Sequence, residues 1–299
     1  DNFFRKAGTC GKQALTMCMG FGCNAAGVIG CRIMRSTRER LIAIVTNCFV
    51  PCNGRFPLLI TIATIFFAGV FKGVAGSVVS TLVVLCIILF GIILSLFVSK
   101  ILSKTLLKGE SSGFILELPP YRKPQIGSIL VRSVLDRTLF VLGRAICSAI
   151  PAGIVIWLFA NVQIGGTSII SYIACFFDPL ARWMGLDGYI LTAFIFGIPA
   201  NEIVLPILLM MYMKVGCLVD ISDWCQIGDI LIENGWNVLT ALNVMIFTLL
   251  HFPCMTTLLT IKKETGNLKW VLVAFLIPTV CGIVICMFTN LLYCVINYA

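Results

Sequence analysis

Six side chains that could bind a cation lie in apolar stretches of this sequence, beside residues that interrupt helices. They supply thiols, amides and one carboxylate, and they are Cys23, Asn24, Cys52, Asn201, Glu202 and Cys254. Thiolate and carboxylate together neutralise a dehydrated divalent ion, and sulfur favours a soft or borderline transition metal over Mg²⁺ or Ca²⁺. The set therefore predicts a transition-metal site, although the sequence has neither a C-x-x-C pair nor the His cluster typical of zinc.

The cysteines and asparagines of this set also have a purely structural explanation. The chain contains 15 cysteines, so a Cys at a helix break can simply be a small residue that lets helices pack closely. Asn24 and Asn201 can cap half-helices. Glu202 is harder to explain in this way, because an ionisable group at membrane depth is costly and favours a functional role.

One stretch that carries a candidate cysteine occurs twice. Residues 44–52 read IVTNCFVPC and residues 246–254 read IFTLLHFPC, so that Thr, Pro and Cys recur at the same positions. The constant offset indicates an internal duplication. Proline within an apolar run predicts a helix that breaks and leaves a backbone carbonyl free, and such a break inside a membrane is a candidate binding site.

The elements that must position these residues are membrane helices. Of the 299 residues, 59% are hydrophobic and only 12% are charged, and the mean hydropathy is +1.03, which is typical of an integral membrane protein. Uncharged windows such as residues 73–99 exceed the roughly 20 residues that span a bilayer. The net charge of +9 collects at the ends of apolar segments, which indicates cytoplasmic loops and excludes nucleic-acid binding.

The positions of the basic residues relative to the apolar segments predict a first repeat over residues 1–108. Residues 13–31 have basic residues on both sides, so both ends belong in the cytoplasm and the segment should be a re-entrant helical hairpin. Its tip is expected at residues 22–24, where glycines surround Cys23. A broken span over residues 41–71 and a plain span over residues 73–99 complete this repeat.

Residues 109–187 are predicted to connect the first repeat to a second one. A cytoplasmic Pro-rich loop comes first, and an amphipathic interfacial helix over residues 126–142 follows it. A span over residues 145–160 then leads outward to a surface helix over residues 169–183.

The second repeat is predicted over residues 188–299. Acidic residues follow segment 188–213 and lysines follow segment 234–261, so 188–213 should begin and end outside as a second re-entrant hairpin. The broken span 234–261 and the plain span 270–297 follow it. The expected fold class is therefore an all-α integral membrane protein built as an inverted repeat, a plan common in secondary transporters, whose sites lie at the repeat interface.

Four motifs resemble the membrane region of the ferrous iron transport protein B family. They are Met19-Gly-Phe-Gly-Cys-Asn24, the block from Arg38 to Pro57, Glu117-Leu-Pro-Pro-Tyr-Arg122 and Pro199-Ala-Asn-Glu-Ile-Val204. The resemblance covers nearly the whole chain. It implies an Fe²⁺ transporter of the bacterial or archaeal inner membrane, with two gate motifs similar to those of nucleoside transporters. It also implies that the gate cysteines, here Cys23, Cys52 and Cys254, are the iron ligands.

The same resemblance implies partners. Complete family members carry an N-terminal GTPase domain, whereas no G-x-x-x-x-G-K-[ST] loop occurs in these residues. We therefore expect the chain to be the C-terminal, non-enzymatic part of a transporter that this domain gates. The expected partners are membrane lipid, Fe²⁺ as the transported ion, small cytosolic accessory proteins and a second copy of the protein, with no cofactor and no nucleic acid.

Two other functions stay open at this point. An organic-solute carrier of the nucleoside-transporter type would use Asn24, Asn201 and Glu202 to hydrogen-bond a sugar or base, and a membrane scaffold would transport nothing. Arg55 is a further charged residue in an apolar region. We expect its guanidinium to bind the carbonyl end of a half-helix and not a substrate, because a broken helix leaves carbonyls without partners.

Overall fold

The computed structural model describes residues 6–69, 74–107, 139–218 and 223–298, together with the single residues 4, 127, 131 and 221. The predicted Pro-rich loop lies outside the described residues, as does most of the predicted interfacial helix 126–142. Residues 139–142, predicted as the end of that interfacial helix, are continuous with the following helix. The described chain is almost entirely helical, as expected.

The described first half contains five α-helices and three short turns of 3₁₀-helix. In chain order they are α1 (Lys12–Gly22), α2 (Asn24–Gly30), the turn Cys31–Ile33, α3 (Thr37–Thr46), the turns Asn47–Phe49 and Asn53–Arg55, α4 (Phe56–Ala63) and α5 (Val74–Lys104). Helix α4 continues into a π-helical turn over Thr64–Ala68. One extended residue, Cys23, separates α1 from α2.

The described second half contains eight α-helices and one small hairpin. They are α6 (Leu139–Asn161), the antiparallel pair β1 (Gln163–Ile164) and β2 (Thr167–Ser168), α7 (Ile169–Trp183), α8 (Gly188–Phe196), α9 (Val204–Tyr212), α10 (Trp224–Glu233), α11 (Val238–Leu250), α12 (Met255–Thr265) and α13 (Leu268–Tyr298). A turn over Asn201–Ile203 separates α8 from α9. Asp187 caps α8 and Asn237 caps α11, each accepting a hydrogen bond from a backbone N–H in the first turn.

Four helical segments of the described chain are long and apolar enough to cross a membrane. They are Thr37–Ala68, Val74–Lys104, Val238–Thr265 and Leu268–Asn297, and helices α7 and α8 form a further pair bent by 112°. The four segments overlap the spans predicted at 41–71, 73–99, 234–261 and 270–297. The opposite orientation of the two repeats in the membrane stays a prediction.

Burial separates the broken spans from the unbroken ones. The two broken segments are mostly buried, whereas only 22% of the apolar window of α5 and of α13 is buried. On α13 the exposed apolar side chains recur every four residues along one face, at Leu272, Leu276, Val280, Val284 and Phe288. Such a stripe suits a helix that faces lipid tails, so α5 and α13 form an outer wall and the breaks lie in the interior.

The two copies of the repeated stretch break in the same way. Helix α3 ends at Thr46 and Pro51 follows, while α11 ends at Leu250 and Pro253 follows. In each copy the threonine hydroxyl donates to the carbonyl four residues earlier, Thr46 to Ile42 at 2.8 Å and Thr248 to Val244 at 2.6 Å. Such a bond from threonine to the carbonyl four residues earlier favours a bend, so threonine and proline act together to end the helix.

Candidate functional site

Extended backbone at four positions marks the breaks of the described helices. The residues concerned are Cys23, Cys52, Ala200 and Cys254, and each directly precedes a helix or a 3₁₀ turn without giving it a side-chain cap. Three of the four are candidate cysteines. The sequence motifs therefore place their thiols at the starts of half-helices, where backbone N–H groups have no intrahelical partner.

Asn24 and Asn47 hold the first hairpin tip against the first broken span. Asn47 Nδ2 donates to the Asn24 carbonyl at 3.0 Å. The hydrogen-bond partners of the Asn24 amide place its nitrogen toward two carbonyl oxygens. This nitrogen donates to Val50 and to Gly20, both at 3.2 Å. Both asparagines are buried. The Asn24 side chain is thus engaged by backbone carbonyls, whereas the cap position of α2 is occupied by Cys23 without a side-chain bond, so Asn24 has a structural role other than the N-cap that the sequence suggested.

Cys52, Asn201 and His251 bring three of the four breaks together. Asn201 Nδ2 lies 3.8 Å from Cys52 Sγ, and Asn201 Oδ1 lies 3.3 Å from His251 Nε2. All three side chains are buried. The first broken span, the tip of the second hairpin and the second broken span therefore meet through one thiol, one amide and one imidazole.

His251 is the residue of this cluster that sequence reasoning did not include among the candidates. It is the only histidine of the chain and lies in the second copy of the repeat, two residues before Pro253. These two features of the sequence mark His251 as a possible ligand, but the nearby proline prevents a prediction of its side-chain direction. In the structure its ring packs against Phe194 and Phe252, with centroid distances of 4.9 and 5.3 Å.

Arg55 binds the carbonyl ends of both broken helices. Its Nη1 donates to Cys48 at 3.2 Å and to Leu249 at 2.7 Å, and its Nη2 donates to His251 at 2.9 Å and to Phe252 at 3.3 Å. The guanidinium is completely buried. The expectation that Arg55 binds freed carbonyls is confirmed, and the bonds also fix the two copies of the repeat against each other.

Glu202 and Cys254 lie beside this cluster with different partners. Glu202 is exposed and packs over the first break, since a Cβ added to Gly54 would lie 3.1 Å from Glu202 Cγ. Cys254 is partly buried and its Sγ lies 3.3 Å from Thr257 Oγ1. The backbone N–H of Met255 donates to the Ile198 carbonyl at 2.8 Å, so the second break is joined to the second hairpin tip.

The six predicted metal ligands are distributed over four helix breaks. Within the described residues, which include all six candidates, no group of three or more His, Cys, Asp or Glu side chains is placed to hold a metal ion. The first hairpin tip meets the first broken span through Asn24 and Asn47, and that span meets the second hairpin tip through Cys52 and Asn201. The six-residue metal site stays a prediction.

Two family models match different parts of the chain. The model for the C terminus of ferrous iron transport protein B matches residues 84–136, and the gate model described as nucleoside recognition matches residues 142–268. Curated relatives extend the match over almost the full chain. An Fe(2+) transporter FeoB of Staphylococcus aureus (strain MSSA476) is 30% identical over 293 residues, which are 95% of this chain and 41% of the relative.

The resemblance to the membrane region of ferrous iron transport protein B is confirmed. The Fe(2+) transporter FeoB of Methanocaldococcus jannaschii is 27% identical over 98% of this chain and 44% of its own length. That of Synechocystis is 26% identical over 94% of this chain and 43% of its own length. The chain spans about two fifths of the curated relatives that it matches. No solved structure matches it.

The matches to ferrous iron transport protein B agree with the helical structure. Together with the apolar segments of spanning length, they make the chain a multi-pass membrane protein of all-α fold. The gate match over residues 142–268 contains Asn201, Glu202, His251 and Cys254. Cys23 and Cys52 lie before both matched segments, so the contact between Cys52 and Asn201 joins the gate region to the first half of the chain.

Proposed function

We propose that this chain is the membrane-permeation part of a ferrous iron transporter. The observation that carries the proposal is the alignment of relatives named Fe(2+) transporter over 94–98% of the chain. The interior position of the helix breaks supports it, because polar groups freed by a break are tolerated at membrane depth where they line a path for a solute. Thiols and amides at those breaks suit a dehydrated transition-metal ion.

The proposal extends to partners in the complete protein. The matched relatives are more than twice as long as the matched region, and the family resemblance assigns a gating GTPase domain to the part outside it. A relative from Porphyromonas gingivalis is a fusion of Fe(2+) transport protein A with the transporter. This fusion supports a small accessory protein that acts beside the membrane region.

Transport of a nucleoside-like solute is the second candidate function. The observation that favours it is the match of residues 142–268 to a model described as nucleoside recognition. In that case the amide of Asn201 and the carboxylate of Glu202 would hydrogen-bond a sugar or base. The two candidates differ in which solute should shield the buried thiols.

Protection from thiol labelling separates the two. In membranes that contain the complete protein, each cysteine is labelled with a membrane-permeant maleimide and quantified by mass spectrometry. We expect anaerobic Fe²⁺ to slow the labelling of Cys52 and Cys254, while Cys175, an exposed cysteine on α7, reacts at an unchanged rate. Protection by nucleosides and none by Fe²⁺ would favour the second function and overturn the first.

A further inference from the structure

The imidazole of His251 has the environment of a metal ligand. It is buried to 1% exposure, and its Nδ1 lies 3.1 Å from the Phe247 carbonyl and 2.8 Å from the Thr248 carbonyl. Carbonyl oxygens only accept hydrogen bonds, so Nδ1 carries a proton and donates it. Histidines that bind metals almost always direct their other ring N–H to a backbone carbonyl or carboxylate in this way.

The charge of the ring follows from its surroundings. Arg55 Nη2 donates to the backbone carbonyl of His251 at 2.9 Å, which places a buried cation beside it. Among the described residues, no carboxylate is hydrogen-bonded to the ring. A second buried positive charge without an anionic partner would be costly, so the ring is neutral. Its Nε2 then carries a lone pair directed at the Asn201 side chain.

The neutral ring determines how the Asn201 amide is turned. The two ends of an amide are distinguished by their hydrogen bonds, and a lone pair on Nε2 requires the NH₂ group at the position 3.3 Å away. The amide oxygen then faces Cys52 Sγ, across the 3.8 Å contact, and accepts from the S–H group. The Asn201 amide therefore lies between the Cys52 thiol and the His251 lone pair and is hydrogen-bonded to both.

We propose that His251 Nε2 is a ligand of the transported Fe²⁺ and that the thiolate of Cys52 is a second ligand. When no ion is bound, the Asn201 amide occupies the position of the ion between them. This inference rests on the proposed function. When the ion arrives, the amide turns away, Cys52 releases its proton to water as the Fe–S bond forms, and His251 binds without losing a proton. An imidazole and a thiolate form a set that suits Fe²⁺ and disfavours Mg²⁺ and Ca²⁺.

The pair also explains why three helix breaks meet at this point. Cys52 and Asn201 precede or begin short turns in two different halves, and His251 directly follows α11. Movement of any of these half-helices changes the separation of thiol and imidazole. The site can therefore be assembled or opened by the same motions that would carry an ion through the membrane.

The test uses the complete protein in nanodiscs, loaded anaerobically with Fe²⁺ and examined by iron X-ray absorption. Wild type should show sulfur in the first shell and the outer-shell scattering typical of imidazole. His251→Phe keeps an aromatic ring in the Phe194 and Phe252 cluster but has no lone pair. It should lose the imidazole scattering, retain sulfur, and bind Fe²⁺ at least roughly 10-fold more weakly, since loss even of an outer-shell partner has an effect of that size.

Two further variants test the two ligands separately. His251→Gln can still accept a hydrogen bond from Asn201 but offers no imidazole, so it should share the weak binding. Cys52→Ser should lose the sulfur signal. If His251→Gln and His251→Phe bind Fe²⁺ with wild-type affinity and unchanged spectra, while Cys52→Ser does not, His251 is no ligand and the transport proposal survives. If wild type binds no Fe²⁺, both proposals are wrong.

Discussion

At the scale of single residues, Arg55 shows how this protein stabilises helix breaks away from water. A buried guanidinium is expensive unless its donors are satisfied. Here Nη1 and Nη2 donate to four carbonyls, one from the first broken span and three from the second, while Nε has no hydrogen-bond partner among the described residues. The planar guanidinium of arginine can donate to several carbonyls at once in a fixed geometry, whereas lysine has a single ammonium group. The residue therefore holds the breaks open in a fixed geometry.

Replacement of Arg55 by lysine tests this role. Arg55→Lys leaves carbonyls without donors, so we expect a loss of about 2–4 kcal/mol of stability, seen as a lower midpoint of thermal unfolding of the complete protein in detergent. Arg182→Lys is the matched control, because Arg182 is mostly exposed and paired with Asp178 on α7. Equal shifts for the two variants would contradict the assignment.

At the scale of elements, the first hairpin docks on the first broken span through glycines. A Cβ at Gly27 or Gly20 would lie 2.6 Å from atoms of the Asn47 side chain, which is closer than packing allows. The two glycines therefore form the space that Asn47 fills. From there Asn47 reaches the Asn24 carbonyl, so small residues on two helices determine how the hairpin tip is held.

A methyl group at this interface should disturb it. Gly27→Ala would displace Asn47 and break its bond to Asn24, at a cost of about 1–3 kcal/mol from overpacking. Gly22→Ala is the control, because Gly22 is exposed and no atom lies within 4 Å of its added Cβ. The thermal unfolding midpoints should fall for the first variant only. A similar loss in Gly22→Ala would point to helix α1 itself and not to the docking.

A second contact between elements joins the two halves at one end of the molecule. Glu264, near the end of α12, accepts from Arg32 at 2.6 and 2.8 Å and from Arg40 at 2.8 Å. Its side chain is 3% exposed, whereas those of Arg32 and Arg40 are 60% and 31% exposed. Exposure of the arginines weakens each pair, but the shared carboxylate links α3 and the end of the first hairpin to α12.

Neutralising this carboxylate should loosen the link. Glu264→Gln removes the charge that two guanidiniums share, and we expect a loss of about 1–2 kcal/mol that becomes smaller at high salt. Glu233→Gln, at an exposed position on α10, should leave the unfolding midpoint unchanged. Identical midpoints for both variants at low salt would show that the Glu264 cluster contributes nothing to stability.

At the scale of the whole molecule, the plan of the spans could be predicted and the contacts between them could not. Hydropathy and length indicate the four apolar segments, and the repeated threonine and proline explain why two of them break. The meeting of Asn201 with Cys52 and His251 joins residues 149 and 50 positions apart. Such contacts depend on how half-helices are rotated and packed, which no periodicity in the sequence reports.

The same limit explains how the candidate site differs from the sequence prediction. Asn24 has the right chemistry for a ligand, yet its amide holds backbone carbonyls. His251 lies two residues before Pro253, so the sequence does not predict the direction of its side chain, yet the break directs its ring toward Asn201. Cys52 is the predicted ligand that the structure places in contact with the gate region, so Cys52 is the residue whose replacement should affect transport most.

The most direct measurement is uptake of radioactive Fe²⁺ into proteoliposomes that contain the complete protein. We predict influx well above that of empty vesicles for wild type and for Cys86→Ala, whose exposed cysteine lies on the outer wall helix α5. Cys52→Ala should lose most of this influx, because the path would lack its central thiolate. Influx no higher than in empty vesicles for wild type, or equal influx for wild type and Cys52→Ala, would contradict the account.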